Sequence, residues 1–243
     1  MFPVSDHSSD VIRGLWSQMK KAGVKVHLHT EVKGLKVQDG VLSGVELSDG
    51  RVMEADDVIV ATGGLSYPTT GSTGDGYGFA AKCGHKVVDP KPSLVPLTVK
   101  EDYIKEMQGL SLRNIKLTVK KEKKVLYEDF GELMFTHFGI TGPLVLSASA
   151  KLGKQLEKGP LSAFLDLKPA LTLEQLDDRI LREFQGNQNK QFKNVIHVLF
   201  PASLTPVMLK QGGIPAEKPI HEISKEERRR FGEKVKAFPF TIT

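Results

Sequence analysis

From Gly63 to Gly78 the sequence GGLSYPTTGSTGDGYG places six glycines in 16 residues, directly after the apolar run 58-VIVA-61. In regular structure each glycine costs about 0.5–1 kcal/mol relative to alanine, so this density implies something that must come close to bare main chain. A run apolar on both faces that empties into Thr62-Gly63-Gly64 is how a covered parallel sheet offers backbone at the carboxyl end of a strand, where ligands bind. Gly74, Asp75 and Gly76 then read as the first turn of a helix that ends at Gly84. Exposed N–H groups there could face an anionic or electron-rich ligand. The segment from Gly76 through Gly78 to Ala81 formally fits G-x-G-x-x-A. It falls inside that helix rather than between strand and helix, so it is no dinucleotide fingerprint.

Around this stretch the chain shows three kinds of pattern. Ser8 or Ser9 can cap a helix carrying Val11, Ile12, Leu15, Met19 and Ala22 on one face, with Gly23 as its stop. Val24, Val26 and Leu28 alternate with polar residues as a strand, and Asp39-Gly40 and Asp49-Gly50 predict the turns of a β-meander. Pro90, Pro92 and Pro96 mark a boundary. Beyond it, β-like runs at 94–99, 110–119, 124–128, 132–138, 143–149 and 161–167 predict a small closed barrel. From Thr172 the period becomes helical, with capping boxes at Thr172/Gln175 and Ser224/Glu227, and 238-FPFTIT-243 returns to β alternation. The fold class expected is multi-domain α+β. Residues 1–90 form a partial Rossmann-like α/β segment with a β-meander, 91–170 an inserted β-barrel, 171–236 a small helical insert, and 237–243 a return strand to the barrel. The start, with Phe2 and Pro3 ahead of the first cap, and the strand-like tail both read as excision from a longer protein.

Composition excludes several classes. At 40% hydrophobic and 26% charged, the chain is globular rather than disordered. No apolar run approaches the roughly 20 residues of a membrane span, the start lacks a signal-peptide pattern, and the lone Cys83 excludes an internal disulfide. A cytoplasmic protein is expected. The net charge of +5 is spread over 34 basic and 29 acidic residues. The clusters 120-KKEKK-124 and 228-RRR-230 read as a hairpin tip and a helix end, neither interleaved in sequence with aromatic residues, so no nucleic-acid partner is expected.

The strings ATGGLSYPTTGSTGDGYGFAAKCGH, KPSLVPL and GELMFTHFGITGPLVLSAS, in this order, resemble the BaiN-type (HI-0933-like) family of bacterial NAD(P)/FAD-dependent oxidoreductases. The resemblance covers nearly the whole chain. It implies a discontinuous FAD-binding domain interrupted by a barrel that itself carries a helical insert, with NAD(P)H as electron donor and hydride chemistry performed on FAD. The family's opening G-x-G-x-x-G turn and its closing FAD segment have no counterpart here. The resemblance therefore describes a central fragment that holds FAD weakly or not at all. By resemblance, Val32 of Thr30-Glu31-Val32 faces the adenine edge, and Thr62, Gly63 and Gly64 pass the nucleotide end. The loop containing Tyr67, Pro68, Gly71, Ser72, Thr73, Gly74 and Asp75 approaches the isoalloxazine. No catalytic residue and no metal ligand is assigned, and the substrate and the choice of NADH or NADPH stay open.

Other residues read as structural. His27 and His29 share a strand face without a third ligand, and His137 sits at a strand end. Cys83 lies at a helix C-terminus, where no dipole lowers its pKa, and is expected to be a buried, inert thiol. Ser147 and Ser149 lack a nucleophile elbow. Two alternatives remain beside the flavoenzyme: a binding module without catalysis, and a weak RNA binder whose affinity falls steeply with salt.

Overall fold

Asp39 and Gly40 both adopt positive φ (51° and 80°), the conformation that a two-residue hairpin demands, and they join strands β1 (Val32–Gln38) and β2 (Val41–Leu47). At Asp49-Gly50 the Gly50 N–H donates to the Leu47 carbonyl (3.0 Å) and the Arg51 N–H to the Asp49 carboxylate (3.0 Å), which turns the chain into β3 (Val52–Glu54). This antiparallel meander has the order β1-β2-β3. Gly44 at its centre admits no side chain, because a Cβ would overlap the Met53 carbonyl oxygen.

This computed structural model describes residues 3–243, so Met1 and Phe2, including part of the start read as an excision point, lie outside the described residues. The chain divides into two compact units at Asp89/Pro90. In the first, helix α1 (Ser8–Lys21) begins from His7 rather than from a serine cap. It stops at Gly23 (φ 75°), where Gly23 N–H donates to Lys20 O and Val24 N–H to Met19 O. None of its residues is buried, and Ile12, Leu15 and Trp16 are exposed.

Two expected strands are absent. Residues 24–28 and 58–61 join no ladder among the described residues. Alternation and apolarity supply a strand's faces, but its N–H and C=O groups need a neighbouring strand to make a sheet.

In the second unit β4 (Leu97–Thr98), β5 (Ser111–Lys121), β6 (Lys124–Phe135), β7 (Gly139–Thr141), β8 (Leu161–Asp166) and β9 (Phe238–Ile242) form one sheet, ordered β4-β7-β6-β5-β8-β9. The bridge Val99↔Ile242 brings its two edges together, with Lys100 N–H donating to Thr241 O (3.0 Å) and Thr243 N–H to Thr98 O (3.1 Å). The result is a nearly closed six-stranded barrel. Glu101 secures the seam by accepting from the Thr241 N–H (2.8 Å) and hydroxyl (2.7 Å). Burial and the nearby Glu101 push the Tyr103 phenol up to about 12, so it stays protonated and donates to the Pro239 carbonyl.

The run at 143–149, expected as a strand, opens helix α3 (Pro143–Leu156). Pro143 sits at the helix start, where its missing N–H is no loss, and Leu144, Val145, Ala148, Ser149 and Leu152 fall on one buried helical face. The two runs at 124–128 and 132–138 merge largely into the single long strand β6.

Beyond the barrel stand α4 (Leu173–Gln185), α5 (Thr205–Gln211) and α6 (Lys225–Lys236). Both capping boxes form as the sequence predicts. Thr172→Ala should therefore cost about 1 kcal/mol. Urea unfolding checks it: the midpoint should fall with the denaturant slope unchanged. One continuous core runs from Phe135 and Leu165 in the barrel to Phe192 and Phe231 among the helices. The Arg228 guanidinium grips the Asp177 carboxylate with two nitrogens and ties α6 to α4. Lys236 pairs with Asp166 (2.6 Å) and also donates to the Lys168 and Leu171 carbonyls (3.0 and 2.6 Å), fixing the end of α6 beside β8.

Candidate functional site

The glycine-rich stretch lies wholly in the first unit. After the apolar run, with Ile59 92% exposed, the chain turns at Gly63 (φ 77°) and again at Tyr67, which holds φ 55° although it is not a glycine and is 80% exposed. An exposed non-glycine residue in the left-handed region is uncommon and often marks a functional segment. A 3-10 turn at Pro68–Thr70 follows, closed by Thr70 Oγ1 donating to Tyr67 O (2.7 Å) and Gly71 N–H to Pro68 O (3.0 Å). Gly71 (φ 95°) and Gly74 (φ 87°) then lead into helix α2 (Asp75–Lys82).

Part of the glycine density is explained by the loop packing on itself. A Cβ on Gly63 would stand 2.7 Å from the Ser72 hydroxyl, one on Gly74 2.6 Å from Leu65 Cδ2, and one on Gly76 2.9 Å from the Thr62 hydroxyl. Residues 60–65 and 72–77 are thus pressed together, and this juxtaposition gathers Thr62, Gly63, Gly64, Ser72 and Gly74. Tyr67, Pro68 and Gly71 form the arch between the two arms. Val32 opens β1 and is only partly buried. The sequence reading passed over Leu65 and Tyr77. The Tyr77 ring lies near the sites that side chains on Gly64 and Gly74 would occupy (3.4 Å each), and an aromatic three residues after a helix-capping glycine is the signal that could have found it.

Gly74 is the cap of α2, so the first turn starts at Asp75 rather than at the glycine. The N–H groups of Asp75 and Gly76 have no acceptor within the helix. The Asp75 carboxylate, which accepts from Thr73 Oγ1 (2.9 Å), already sits at this positive helix end. A phosphate would meet that charge. The polar edge of a neutral ring would not. At the other end Gly84 (φ 84°) closes α2, with Gly84 N–H on Ala81 O and His85 N–H on Ala80 O.

The remaining candidates stay apart. Cys83 is exposed rather than buried as expected, since α2 buries Phe79 and not its C-terminal end. His27 and His29 are exposed, and among the described residues no group of three or more His, Cys, Asp and Glu side chains is placed to hold a metal ion. His137 is exposed just past β6, edge-to-face with Phe138 at 4.9 Å. Ser149 is buried, donates to Leu146 O (2.8 Å) and accepts from Val95 N–H (2.9 Å), a bracing role. Among the described residues no helix is long and apolar enough to cross a membrane.

Comparison with known proteins places both units. Residues 91–243 match the family described as HI0933-like protein barrel and H2TH domain, and residues 3–90 match pyridine nucleotide-disulphide oxidoreductase. A 3-dehydro-bile acid delta(4,6)-reductase of Clostridium scindens is 28% identical over 224 residues, 92% of this chain and 54% of that protein. Ribosomal RNA dihydrouridine synthases of Haemophilus influenzae and Escherichia coli are 29% and 26% identical, over 96% and 86% of this chain and 56% and 50% of theirs. The chain spans about half the length of the curated relatives it matches. With its nearly closed barrel, helical segment and oxidoreductase-like first unit, the chain belongs to the HI0933-like family.

Proposed function

We propose that this chain is the central portion of a flavin-dependent oxidoreductase in which the arch from Thr62 to Asp75 lies along FAD. The observation that carries the reading is the arch itself. Two arms approach so closely that a Cβ on Gly63, Gly74 or Gly76 would press on a side chain of the opposite arm, and between them Tyr67 is held at positive φ between Ser66 and Pro68. Small residues of this kind allow a flat ring to lie against main chain. Thr62, Gly63 and Gly64 would pass the nucleotide end. Tyr67, Pro68, Gly71, Ser72, Thr73, Gly74 and Asp75 would border the ring, and Val32 the adenine edge. The N–H groups of Asp75 and Gly76 would donate to a ring oxygen or nitrogen, and the Asp75 charge would turn a phosphate away. When bound, FAD supplies two-electron transfer from a nicotinamide to an acceptor. The match of residues 3–90 to an oxidoreductase family and the likeness to a named reductase support this.

The relatives' names suggest the acceptor's chemistry. A delta(4,6)-reductase and a dihydrouridine synthase share addition of two hydrogens across a carbon–carbon double bond. We take an activated double bond of this kind as the acceptor class.

The test extends the chain on both sides to the length of its relatives and asks whether the purified protein carries visible flavin absorbance that NADH or NADPH bleaches without oxygen. The expected result is about one flavin per chain, lost in Gly74→Val, whose side chain would drive Leu65 out of the arch. The 243-residue chain alone should hold FAD weakly or not at all. A longer protein without flavin, or one whose flavin is indifferent to Gly74→Val, would overturn the proposal.

A further inference from the structure

We infer that the end of the barrel formed by the β5–β6 turn and the C-terminal end of α3 is a docking surface for RNA with unpaired bases. The inference goes beyond the flavin reading and does not depend on it.

In sequence the lysines of 120-KKEKK-124 and those of residues 151–158 are two unrelated runs. In the fold they meet. Lys121 stands opposite Lys124 across the hairpin, and its ammonium donates to the Lys158 carbonyl (3.5 Å). On α3, Lys151 lies over the Tyr127 ring of β6 (5.3 Å). Glu157 pairs with Lys91 (2.8 Å), which, with smaller contributions from Lys154 and Lys158, holds its carboxyl below the usual carboxylate range.

The four hairpin lysines with Lys91, Lys151, Lys154 and Lys158 make eight positive charges against Glu122 and Glu157, a local excess of six. The whole chain has 34 basic and 29 acidic residues, so 26 basic and 27 acidic residues remain elsewhere and nearly cancel, and the positive excess is gathered at this end. A surface charged only for solubility has no need to gather its excess at one end. A partner with a regularly charged backbone does.

The adjoining sheet face favours RNA over a lipid surface. Aromatic residues absent from the basic runs in sequence are interleaved with them across strands. Lys120 lies over the Phe164 ring of β8 (5.4 Å), and Lys116 faces Phe130 of β6, which is 56% exposed. Glu128 on this face is occupied by Thr118 Oγ1 (2.9 Å) and Lys116 (3.3 Å), and Asp166, opposite Lys116, by Lys236 (2.6 Å). An open ring on the outer face of the barrel beside a cationic rim is suited to stacking an unpaired base while the rim holds phosphates. The hairpin turn itself is wholly charged from Lys121 to Lys124 and presents nothing apolar to insert into a bilayer.

The test measures fluorescence anisotropy of a fluorescein-labelled RNA stem-loop titrated with the full 243-residue chain at several salt concentrations. The triple variant Lys121→Glu/Lys123→Glu/Lys124→Glu lies in an exposed turn. It should bind at least tenfold more weakly, and the slope of log affinity against log salt should fall by about two. Lys190→Glu/Lys225→Glu/Lys234→Glu changes the net charge equally at exposed positions elsewhere and should lose under threefold. Phe130→Ala should lose roughly fivefold or more. Should the hairpin variant fold poorly, Lys154→Gln/Lys158→Gln at the end of α3 should weaken binding with a matching fall in slope. Equal losses in both triple variants, no loss in the hairpin variant, or binding to phosphatidylglycerol vesicles without binding to RNA would overturn the inference.

Discussion

Phe231→Ala is expected to destabilise the second unit by about 3–5 kcal/mol, the range for emptying a fully buried aromatic site. The ring is completely buried on α6 and meets Phe192 edge-to-face at 5.4 Å and Phe200 at 6.2 Å. Phe192 in turn meets Phe184 of α4 at 6.2 Å. On its other side, Gly212 leaves room for the ring, since a Cβ there would stand 2.7 Å from it. Removing Phe231 thus opens a cavity that neither neighbour can fill without leaving the other. Urea unfolding should show a lower midpoint at unchanged slope, and the thermal midpoint should fall by roughly 10 °C. The exposed Phe130→Ala is the comparison and should stay within about 0.5 kcal/mol. A loss under 1 kcal/mol for Phe231→Ala would mean that barrel and helices do not share the core described.

Gly139→Ala is the second large effect, about 2–3 kcal/mol, and it acts on the barrel seam. A Cβ at Gly139 would overlap the Leu97 carbonyl oxygen and stand 2.9 Å from Thr98 Cα and 3.0 Å from Val99 N, all main-chain atoms that cannot rotate away. Strand β4 would have to leave β7, and Thr98 of β4 with Val99 just after it meets the end of β9. Amide exchange should therefore quicken at Val99, Lys100 and Thr243, far from residue 139 in sequence, while the amides of α4 keep their protection. Unchanged exchange at Lys100 would show that the seam does not rest on this glycine.

How far the sequence foretold these features depended on range. The capping boxes at Thr172 and Ser224 were readable because each is complete within four residues, and the Asp39-Gly40 turn because its backbone demand is local. Helix α3 was misread: Leu144, Val145 and Leu146 suit a strand as well as a helix, and what decides is the burial of Ala148 and Leu152 one and two turns later. Residues 24–28 and 58–61 have strand composition without a strand's neighbour. The glycines of the arch were visible, but not that Gly63, Gly74 and Gly76 each face a side chain of the opposite arm, because that is a fact of tertiary approach. The joining of two lysine runs was hidden for the same reason.

The bridge between Val99 and Ile242 has a topological consequence. The first and last strands of the barrel meet at one spot, so a barrel excised there would have its two ends side by side. By the same token, a permutant with those ends fused and a new opening cut at the turn beside the exposed Lys158 should still close its sheet.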